Sequence, residues 1–347
     1  MAGHIILAGD IGATKTTLAL FGSARRPLQE QTYRNKKFTS FHELLSLFVQ
    51  TVDTCPHQAC FGVAGPVRNN HVHMTNLDWT IDGHQLADQL GIREVLLVND
   101  LVATTAGALT LPASSLEALN RGTPTNGGTV AVIAPGTGLG EAFAAQTSQG
   151  FCVLPSEGGH CTFAPRNALQ IQLLQWMLTH NKTISVEQVC SGQAIPQLYQ
   201  FIHAHGCPQP DWMAKLLEAA SEPGAVIVAQ ATKAIEEGEA CETAVRTMHL
   251  FTDILATEAA NLALKVLATG GVYLGGGMTP RLLPFLESQR FMAFFSHGVY
   301  HDLLANTPVN IILDPRTALI GAREIARRSK KNSLTLPLSL RTTSDFA

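Results

Sequence analysis

Apolar residues along the first third of the chain fall into two kinds of pattern, separated by short polar turns. Compact runs such as "HIILAG" at 4–9 are typical of buried strands, whereas "FHELLSLFVQTV" at 41–52 repeats its apolar positions at helical spacing. The patterns predict strands at 4–9, 15–22, 30–38, 58–66 and 94–100, and helices at 41–52 and 83–91. Strands and helices that alternate in this way favour an α/β fold.

The strand–turn–strand pattern of residues 4–21 returns later in the chain. "HIILAGDIGATKTTLALF" and "TVAVIAPGTGLGEAFAAQ" (129–146) match at an offset of roughly 126 residues, which aligns Gly12 with Gly138 and Ala8 with Ala134. An internal duplication of this kind predicts two related α/β units that face one another. The cleft between two such units is a natural place for a ligand.

The second half of the chain is mainly helical. Its patterns predict helices at 167–180, 186–202, 211–238, 240–268 and 315–331, a strand–glycine–helix unit at 270–286 and a strand at 309–314. Asp314 and Pro315 are the expected N-cap and first residue of the last helix. We predict a small α/β domain from 1–108 plus about 314–331, and a large α/β domain with helical insertions at 109–313. The Ser/Thr-rich residues 332–347 are expected to be a disordered tail.

Composition and charge argue against a dedicated nucleic-acid or membrane partner. The chain has 347 residues, 46% of them hydrophobic, and 24 Lys plus Arg against 27 Asp plus Glu. A formal charge of −3 gives no general attraction to DNA or to anionic lipid. The basic cluster of Arg327, Arg328, Lys330 and Lys331 is interpreted as the cationic end of a helix, with a localisation or nucleic-acid role as the alternative.

The cysteines point to the cytoplasm. Seven are scattered singly without a CxxC pair, as expected for unpaired thiols in a reducing compartment. "HAHGC" at 203–207 lacks a fourth metal ligand and is interpreted as a polar loop. No targeting segment or membrane-spanning apolar run is evident.

Three glycine-rich turns follow predicted strands: "GDIGAT" at 9–14, "GTGLG" at 136–140 and "GGGM" at 275–278. None matches a Walker A loop or a dinucleotide fingerprint, and each alone could be a tight hairpin. Together they indicate backbone N–H groups that approach a polyphosphate closely. Asp10 would hold Mg²⁺ through water; the repeat has Gly136 at that place, so we expect one metal-facing carboxylate.

A second set of polar residues is suited to a polyol. Asn99 and Asp100 end a buried strand, where side chains of an α/β sheet point to a ligand, although they could simply cap the following helix. Glu157 and His160 in "SEGGH" add an acceptor and a ring nitrogen for hydroxyl groups. The two glycines between them would let a hydroxylated ligand pack against the backbone; a plain surface turn is the alternative.

These motifs resemble the bacterial glucokinase family, within the hexokinase–actin–acetate kinase fold group. The resemblance covers about 1–328 and rests on "GDIGATK", "GVAGPV", "MTNLDW", "LLVNDLVA", "APGTGLG", "LPSEGGHCTFAP", "VEQVCSG" and "YLGGGMTPRLL", in the family's order and spacing. Ala13 stands where a second glycine is usual, and "SGQAI" (191–195) replaces a Gly-Pro-Gly run. The cysteine–histidine zinc motif of the other bacterial sugar-kinase family, which includes repressors, is absent.

The resemblance implies two duplicated ribonuclease-H-like domains and ATP-dependent phosphorylation of D-glucose at its 6-hydroxyl, the first step of glycolysis, with ATP and Mg²⁺. It implies Asp100 as general base and Asn99, Asp100, Glu157, His160 and Glu187 as sugar contacts. The ATP-binding residues that we expect are Gly9, Asp10, Ile11, Gly12, Ala13, Thr14, Gly136, Thr137, Gly138 and Gly276. Alternatives are a kinase for mannose, fructose or glucosamine, a sugar-independent ATPase of the same fold group, and a sugar-sensing regulator. A homodimer is the family-like expectation.

Overall fold

The computed structural model describes residues 4–148, 150–238 and 241–329. These residues form two compact units. The first unit contains the described residues within Met1–Ser115, Ala142–Pro155 and Asp314–Ala347, and the second contains Leu116–Glu141 and Ser156–Leu313. The tail predicted at 332–347 lies outside the described residues.

Strands and helices alternate through most of the described chain. The strands are β1 (Ile6–Ile11), β2 (Lys15–Phe21), β3 (Gln29–Arg34), β4 (Gln58–Val63), β5 (His71–Met74), β6 (Trp79–Asp82), β7 (Val95–Asn99), β8 (Leu116–Asn120), β9 (Val130–Pro135), β10 (Leu139–Thr147), β11 (Gly150–Ser156), β12 (Gly271–Leu274) and β13 (Val309–Ile312). The helices are α1 (Phe41–Gln50), α2 (Gly83–Leu90), α3 (Asp100–Ala108), α4 (Ala168–Leu178), α5 (Ile195–Ala204), α6 (Asp211–Ala219), α7 (Pro223–Glu237), α8 (Glu242–Val266), α9 (Thr279–Leu282), α10 (Ser288–Phe295), α11 (His301–Asn306) and α12 (Thr317–Ser329). The α/β class that the patterns predict is confirmed.

The sheet of the first unit has the strand order β3-β2-β1-β4-β7. β1 and β2 form an antiparallel hairpin, and β4 and β7 run parallel to β1. The register places Ile11, Val63 and Asn99 in one row across the sheet. The carboxyl ends of these three strands therefore share one edge, and about 10 Å separates β1 from β7.

Helices α3 and α12 of the first unit approach each other closely at two glycines. A Cβ at Gly321 would overlap the carbonyl oxygen of Ala103, and one at Gly107 would overlap that of Thr317. Larger side chains there would push the helices apart. Because α3 carries Asp100 at its first residue, this contact also fixes a predicted site residue.

The last helix begins at Thr317, so the prediction of a start at Pro315 with Asp314 as N-cap is wrong. The Asp314 carboxylate accepts instead from the backbone N–H of Arg316 at 3.0 Å and its guanidinium at 3.2 Å. The Thr317 N–H donates to the Asp314 carbonyl at 3.2 Å. Residues 314–316 thus form a turn ahead of the helix.

The six-stranded sheet has the order β11-β10-β9-β12-β13-β8, with β12 parallel to β9 and β13 and with β8 antiparallel at the edge. The apolar core of the second unit surrounds α8, most of whose residues are buried. The core of the first unit is a separate cluster built on β1, β4 and α1. Over the described ranges, no helix combines the length and the apolar character that a membrane span requires.

Two helix predictions in the second unit are wrong at their boundaries. The predicted helix at 186–202 begins only at Ile195, because residues 186 and 187 donate backbone hydrogen bonds to the 159–161 loop. The predicted helix at 211–238 is two helices, and Pro223 starts the second one. Proline suits a first helical turn and breaks a helix interior.

Candidate active site

The first glycine-rich turn is the hairpin between β1 and β2. Only Gly12, Ala13 and Thr14 lie in the turn; Gly9, Asp10 and Ile11 are strand residues of β1. The Gly12 N–H donates to the Lys15 carbonyl at 3.0 Å and closes the turn. Among the described residues, positive φ outside glycine occurs at Asn69, Asn70, Asp78 and Leu267. Ala13 is not one of them, so its methyl group causes no backbone strain.

Asn35 anchors this turn, and its role is not evident in the sequence. Its side chain is 1% exposed and donates to the Gly12 carbonyl at 2.8 Å. It also accepts from the Thr16 hydroxyl at 2.8 Å, and its N–H donates to the Thr14 carbonyl at 3.0 Å. The predicted strand at 30–38 ends at Arg34, where a short 3₁₀ turn begins that places Asn35 under the loop.

Asp10 lies half-buried near the end of β1. Burial raises the pKa of its carboxyl group above the usual value, and the charge of Lys15 opposes this rise. A desolvated carboxylate is stabilised by added positive charge or by hydrogen-bond donors. The position is therefore suited to a cation or to further hydrogen-bond donors.

Asn99 and Asp100 lie at the junction of β7 and α3. Asn99 is the N-cap of α3: its Oδ1 accepts from the Leu101 N–H at 2.9 Å, and its amide nitrogen donates to the Gly65 carbonyl at 3.2 Å. Asp100 is half-buried at the first position of α3, and its Oδ1 also accepts from Leu101 N–H at 2.9 Å. A carboxylate suits this position because the N-terminus of a helix carries partial positive charge.

The second glycine-rich turn joins β9 to β10 in the second unit. The Gly136 N–H donates to the Gly138 carbonyl at 2.8 Å, and Thr137 at the tip is exposed. The third turn follows β12, and Gly276 adopts φ 89° there. A Cβ on Gly276 would lie 2.6 Å from the Pro135 carbonyl oxygen. The second and third turns therefore pack directly against each other.

The "SEGGH" segment follows β11 as a short 3₁₀ turn, Gly158–His160. His160 Nε2 lies 3.9 Å from Glu157 Oε2, and His160 Nδ1 lies 4.0 Å from Glu187 Oε1. The side chains of Glu157 and His160 are 69% and 63% exposed. The structure thus brings together three of the predicted sugar contacts on one surface of the second unit.

Glu187 joins this surface to the second glycine-rich turn. Its Oε2 accepts from the Leu139 N–H at 2.8 Å, while its own N–H donates to the Gly159 carbonyl at 2.8 Å. A few residues later, the Gly192 N–H donates to the Gly136 carbonyl at 2.8 Å. The segment from Glu187 to Gly192 is therefore hydrogen-bonded to both loops, which the prediction of a helix at 186–202 missed.

The two glycines of "SEGGH" have a structural reason inside the protein. A Cβ on Gly158 would overlap the Glu141 carboxylate, and one on Gly159 would overlap the Leu139 carbonyl oxygen. Strand β10 therefore lies directly beneath this turn. Glu141 is a further residue that the sequence did not single out, because nothing in its pattern distinguishes it from an ordinary strand position.

Comparison with known proteins identifies the relatives of this chain. A family model described as "Glucokinase" matches residues 7–329. The chain is 37% identical to the glucokinase of Trichormus variabilis over 93% of this chain and 99% of the relative. It is 32% identical to the glucokinase of Caulobacter vibrioides over 92% of this chain and 95% of that protein.

Solved structures show the same fold. A glucokinase from an Antarctic psychrotroph superposes with a TM-score of 0.79 at 30% identity, covering 94% of this chain and 99% of that one. A ROK family glucokinase from Streptomyces griseus, in complex with glucose and AMPPNP, gives a TM-score of 0.64 at 20% identity over 93% and 99% of the two chains. The family match extends over nearly all of the described residues, so this chain belongs to the glucokinase family.

Proposed function

We propose that this protein transfers the γ-phosphoryl group of ATP to the 6-hydroxyl of D-glucose. The observation that carries the proposal is the cluster of Glu157, His160 and Glu187, which is hydrogen-bonded through Glu187 to a glycine-rich turn. A plain ATPase would need the turn but not the cluster. The glucokinase relatives, at 30–37% identity, support glucose as the sugar.

The glycine-rich turns are proposed to bind the ATP phosphates. Gly9–Thr14 would serve in the first unit, and Gly136, Thr137, Gly138 and Gly276 in the second. Short turns of this kind present backbone N–H groups without a side chain in the way, which suits the developing charge of phosphoryl transfer. Asn35 would keep the first turn in place through its bond to Gly12.

A magnesium ion fits the residues at Asp10. Mg²⁺ keeps most of its water and takes few protein ligands, so one carboxylate is sufficient. Burial raises the pKa of the half-buried Asp10 carboxyl and the charge of Lys15 opposes the rise, so a bound cation would stabilise the ionised form. When bound, Mg²⁺ neutralises charge on the β- and γ-phosphates.

The sugar contacts are proposed to be Asn99, Asp100, Glu157, His160 and Glu187. Carboxylates can each accept from two neighbouring hydroxyls, and a neutral histidine can donate or accept. Asn99 already uses its oxygen as the cap of α3 and one amide N–H on the Gly65 carbonyl, so its second N–H is the group suited to a sugar oxygen. Glu157 and His160 would set sugar affinity and specificity.

Asp100 is proposed as the general base. Phosphoryl transfer asks the protein mainly for positioning and charge stabilisation. Asp100 would accept a hydrogen bond from the 6-hydroxyl and take its proton as the bond to phosphorus forms, so a strongly basic group is unnecessary. Its place at the start of α3 fixes the carboxylate on a rigid element.

The two sheets support an internal duplication. The orders β3-β2-β1-β4-β7 and β11-β10-β9-β12-β13 correspond strand for strand, and in each the first two strands along the chain, β1–β2 and β9–β10, are joined by a glycine-rich turn. The placement of the chain outside the zinc-motif branch of sugar kinases stays a prediction, which rests on the sequence lacking that branch's cysteine–histidine motif. The small and large domains, a homodimer and a cytoplasmic location stay predictions.

The direct test is formation of glucose 6-phosphate and ADP from glucose and MgATP. Mannose, fructose and glucosamine at equal concentration give the specificity, and a reaction without sugar measures ATP hydrolysis. We expect efficient turnover with glucose and little hydrolysis without it. Sugar-independent ATP hydrolysis at a comparable rate would refute the proposal.

A further inference from the structure

Glu141 is a buried carboxyl group that the proposed chemistry does not use. It lies on β10, two residues beyond Leu139, and is only 1% exposed. Its Oε1 has no hydrogen-bond partner among the residues that the structure describes. Burial of a charged carboxylate destabilises the folded state unless the charge is paired, so ionised Glu141 is unfavourable at this position.

The carboxyl group lies directly against the turn that carries Glu157 and His160. A Cβ at Gly158 would be 2.7 Å from Glu141 Cδ and would overlap one carboxylate oxygen. The Gly158 N–H is held from the same side of the turn by the Ser156 hydroxyl, at 3.0 Å. The Glu141 side chain therefore packs directly against Gly158, at the centre of the Glu157–His160 turn.

The electrostatic surroundings disfavour a charge on Glu141. Burial, and to a smaller extent the charge of Glu258, raise its pKa to about 7, while the charge of Lys265 opposes the rise. Glu258, itself 4% exposed on α8, already accepts from Asn261 Nδ2 at 2.9 Å and Lys265 Nζ at 3.3 Å. Lys265 is thus hydrogen-bonded to the carboxylate of Glu258.

The other titratable groups near Glu141 do not favour its charged form over its neutral form. Cys190 is a buried thiol. Burial raises its pKa well above the usual value, and the charges of Glu258 and Glu141 add to the rise. It stays neutral near pH 7. On the turn itself, Glu157 and His160 are both largely exposed, so solvent screens them.

We propose that Glu141 is a positioning residue for sugar binding, which supports Gly158 as a neutral carboxylic acid and displaces the Glu157–His160 turn when it ionises. The proposal rests on the proposed function, since it takes this turn to be a sugar contact. Glucose would then select the neutral form of Glu141. Binding above neutral pH would be accompanied by proton uptake.

The expected effect is on the KM for glucose. Only the fraction with neutral Glu141 binds the sugar, and apparent affinity falls in proportion to that fraction. One pH unit above the midpoint that fraction is about a tenth, so KM rises about tenfold between pH 6 and pH 8. The kcat at saturating glucose should change little, because bound sugar holds the turn in place.

The test compares four proteins over pH 6 to 8.5: wild type, E141Q, E141A and E117Q. The wild type should show the rise in KM. E141Q, neutral at every pH, should keep the low KM throughout, while E141A, which lacks the support, should have a raised KM without the pH dependence. E117Q makes the same change at an exposed residue of β8 and should follow the wild type.

A second readout separates this role from packing alone. Calorimetric titration of glucose at pH 8, in buffers that differ in ionisation enthalpy, should show uptake of close to one proton by the wild type and of none by E141Q. Proton exchange by groups other than Glu141 is common to both proteins and cancels in the comparison.

The inference is overturned if the KM of E141Q rises with pH as that of the wild type does, or if the wild-type KM is constant from pH 6 to 8.5. A wild type that binds no glucose at any pH contradicts the proposed function as well. A wild type that phosphorylates glucose with no difference from E141Q contradicts the role of Glu141 alone.

Discussion

Replacement of Glu141 by glutamine should change the stability of the protein, relative to wild type, by an amount that becomes more favourable as pH rises. The folded-state pKa of about 7 compares with an ordinary value of 4.5 for a glutamate. The folded state therefore binds more protons between these values, and the wild type loses stability as pH rises from 4.5 through 7. The penalty reaches about 3 kcal/mol at pH 8 and is under about 1 kcal/mol at pH 5.

The difference between the two pH values is the informative quantity. Burying the glutamine amide without a full set of partners has a cost of about 1–3 kcal/mol, but this cost does not depend on pH. Comparison of E141Q with wild type at pH 5 and pH 8 cancels it and leaves about 2.5 kcal/mol from ionisation.

Urea unfolding followed by tryptophan fluorescence measures this difference, because Trp176 and Trp212 lie in the same unit as Glu141. E117Q serves as the control, with the same change at an exposed position. If the stability difference between E141Q and wild type were the same at pH 5 and pH 8, the account of a buried, neutral Glu141 would be wrong.

Three further substitutions test other contacts. Asn35→Ala removes the donor to the Gly12 carbonyl. In steady-state kinetics it should raise the KM for ATP at least several-fold more than the KM for glucose, and in urea unfolding it should lower the free energy of unfolding by about 1–3 kcal/mol. Glu187→Ala removes the acceptor of the Leu139 N–H and should raise both KM values together, by about tenfold; an effect on glucose alone would contradict the link between the two loops. Gly321→Ala should lower the free energy of unfolding by about 1–3 kcal/mol, measured by urea unfolding, because its methyl group meets the backbone of α3. An unchanged free energy of unfolding would show that the two helices can separate without cost.

The sequence predicted those parts of the fold whose signals are local. The strand–turn–strand patterns at 4–21 and 129–146 correspond to two hairpins, and the family resemblance is confirmed by the match over residues 7–329. Short apolar runs that end in glycine carry enough information for this, because a buried strand and a tight turn each depend on few neighbours in the chain.

Features that depend on distant contacts could not be predicted in this way. The segment 186–194 has helical periodicity, but its first residues bond to the 159–161 loop instead. Asn35 looks like part of an exposed basic strand until the fold places it beneath Gly12. Glu141 occupies an ordinary strand position, and only its place against Gly158 and the nearby charge of Glu258 distinguish it.

The central claim is that Asp100 takes the proton of the glucose 6-hydroxyl during transfer from ATP. Asp100→Asn keeps the size and the helix-start position of the side chain but removes the base, so kcat should fall by about 10² to 10⁴ while glucose still binds. Asp88→Asn, at an exposed position on α2, is the matched control and should keep wild-type kcat. The deciding measurement is kcat for glucose 6-phosphate formation by Asp100→Asn beside a glucose binding titration of the same protein. Strong loss of kcat with retained binding is the predicted result, and near wild-type kcat would contradict the account.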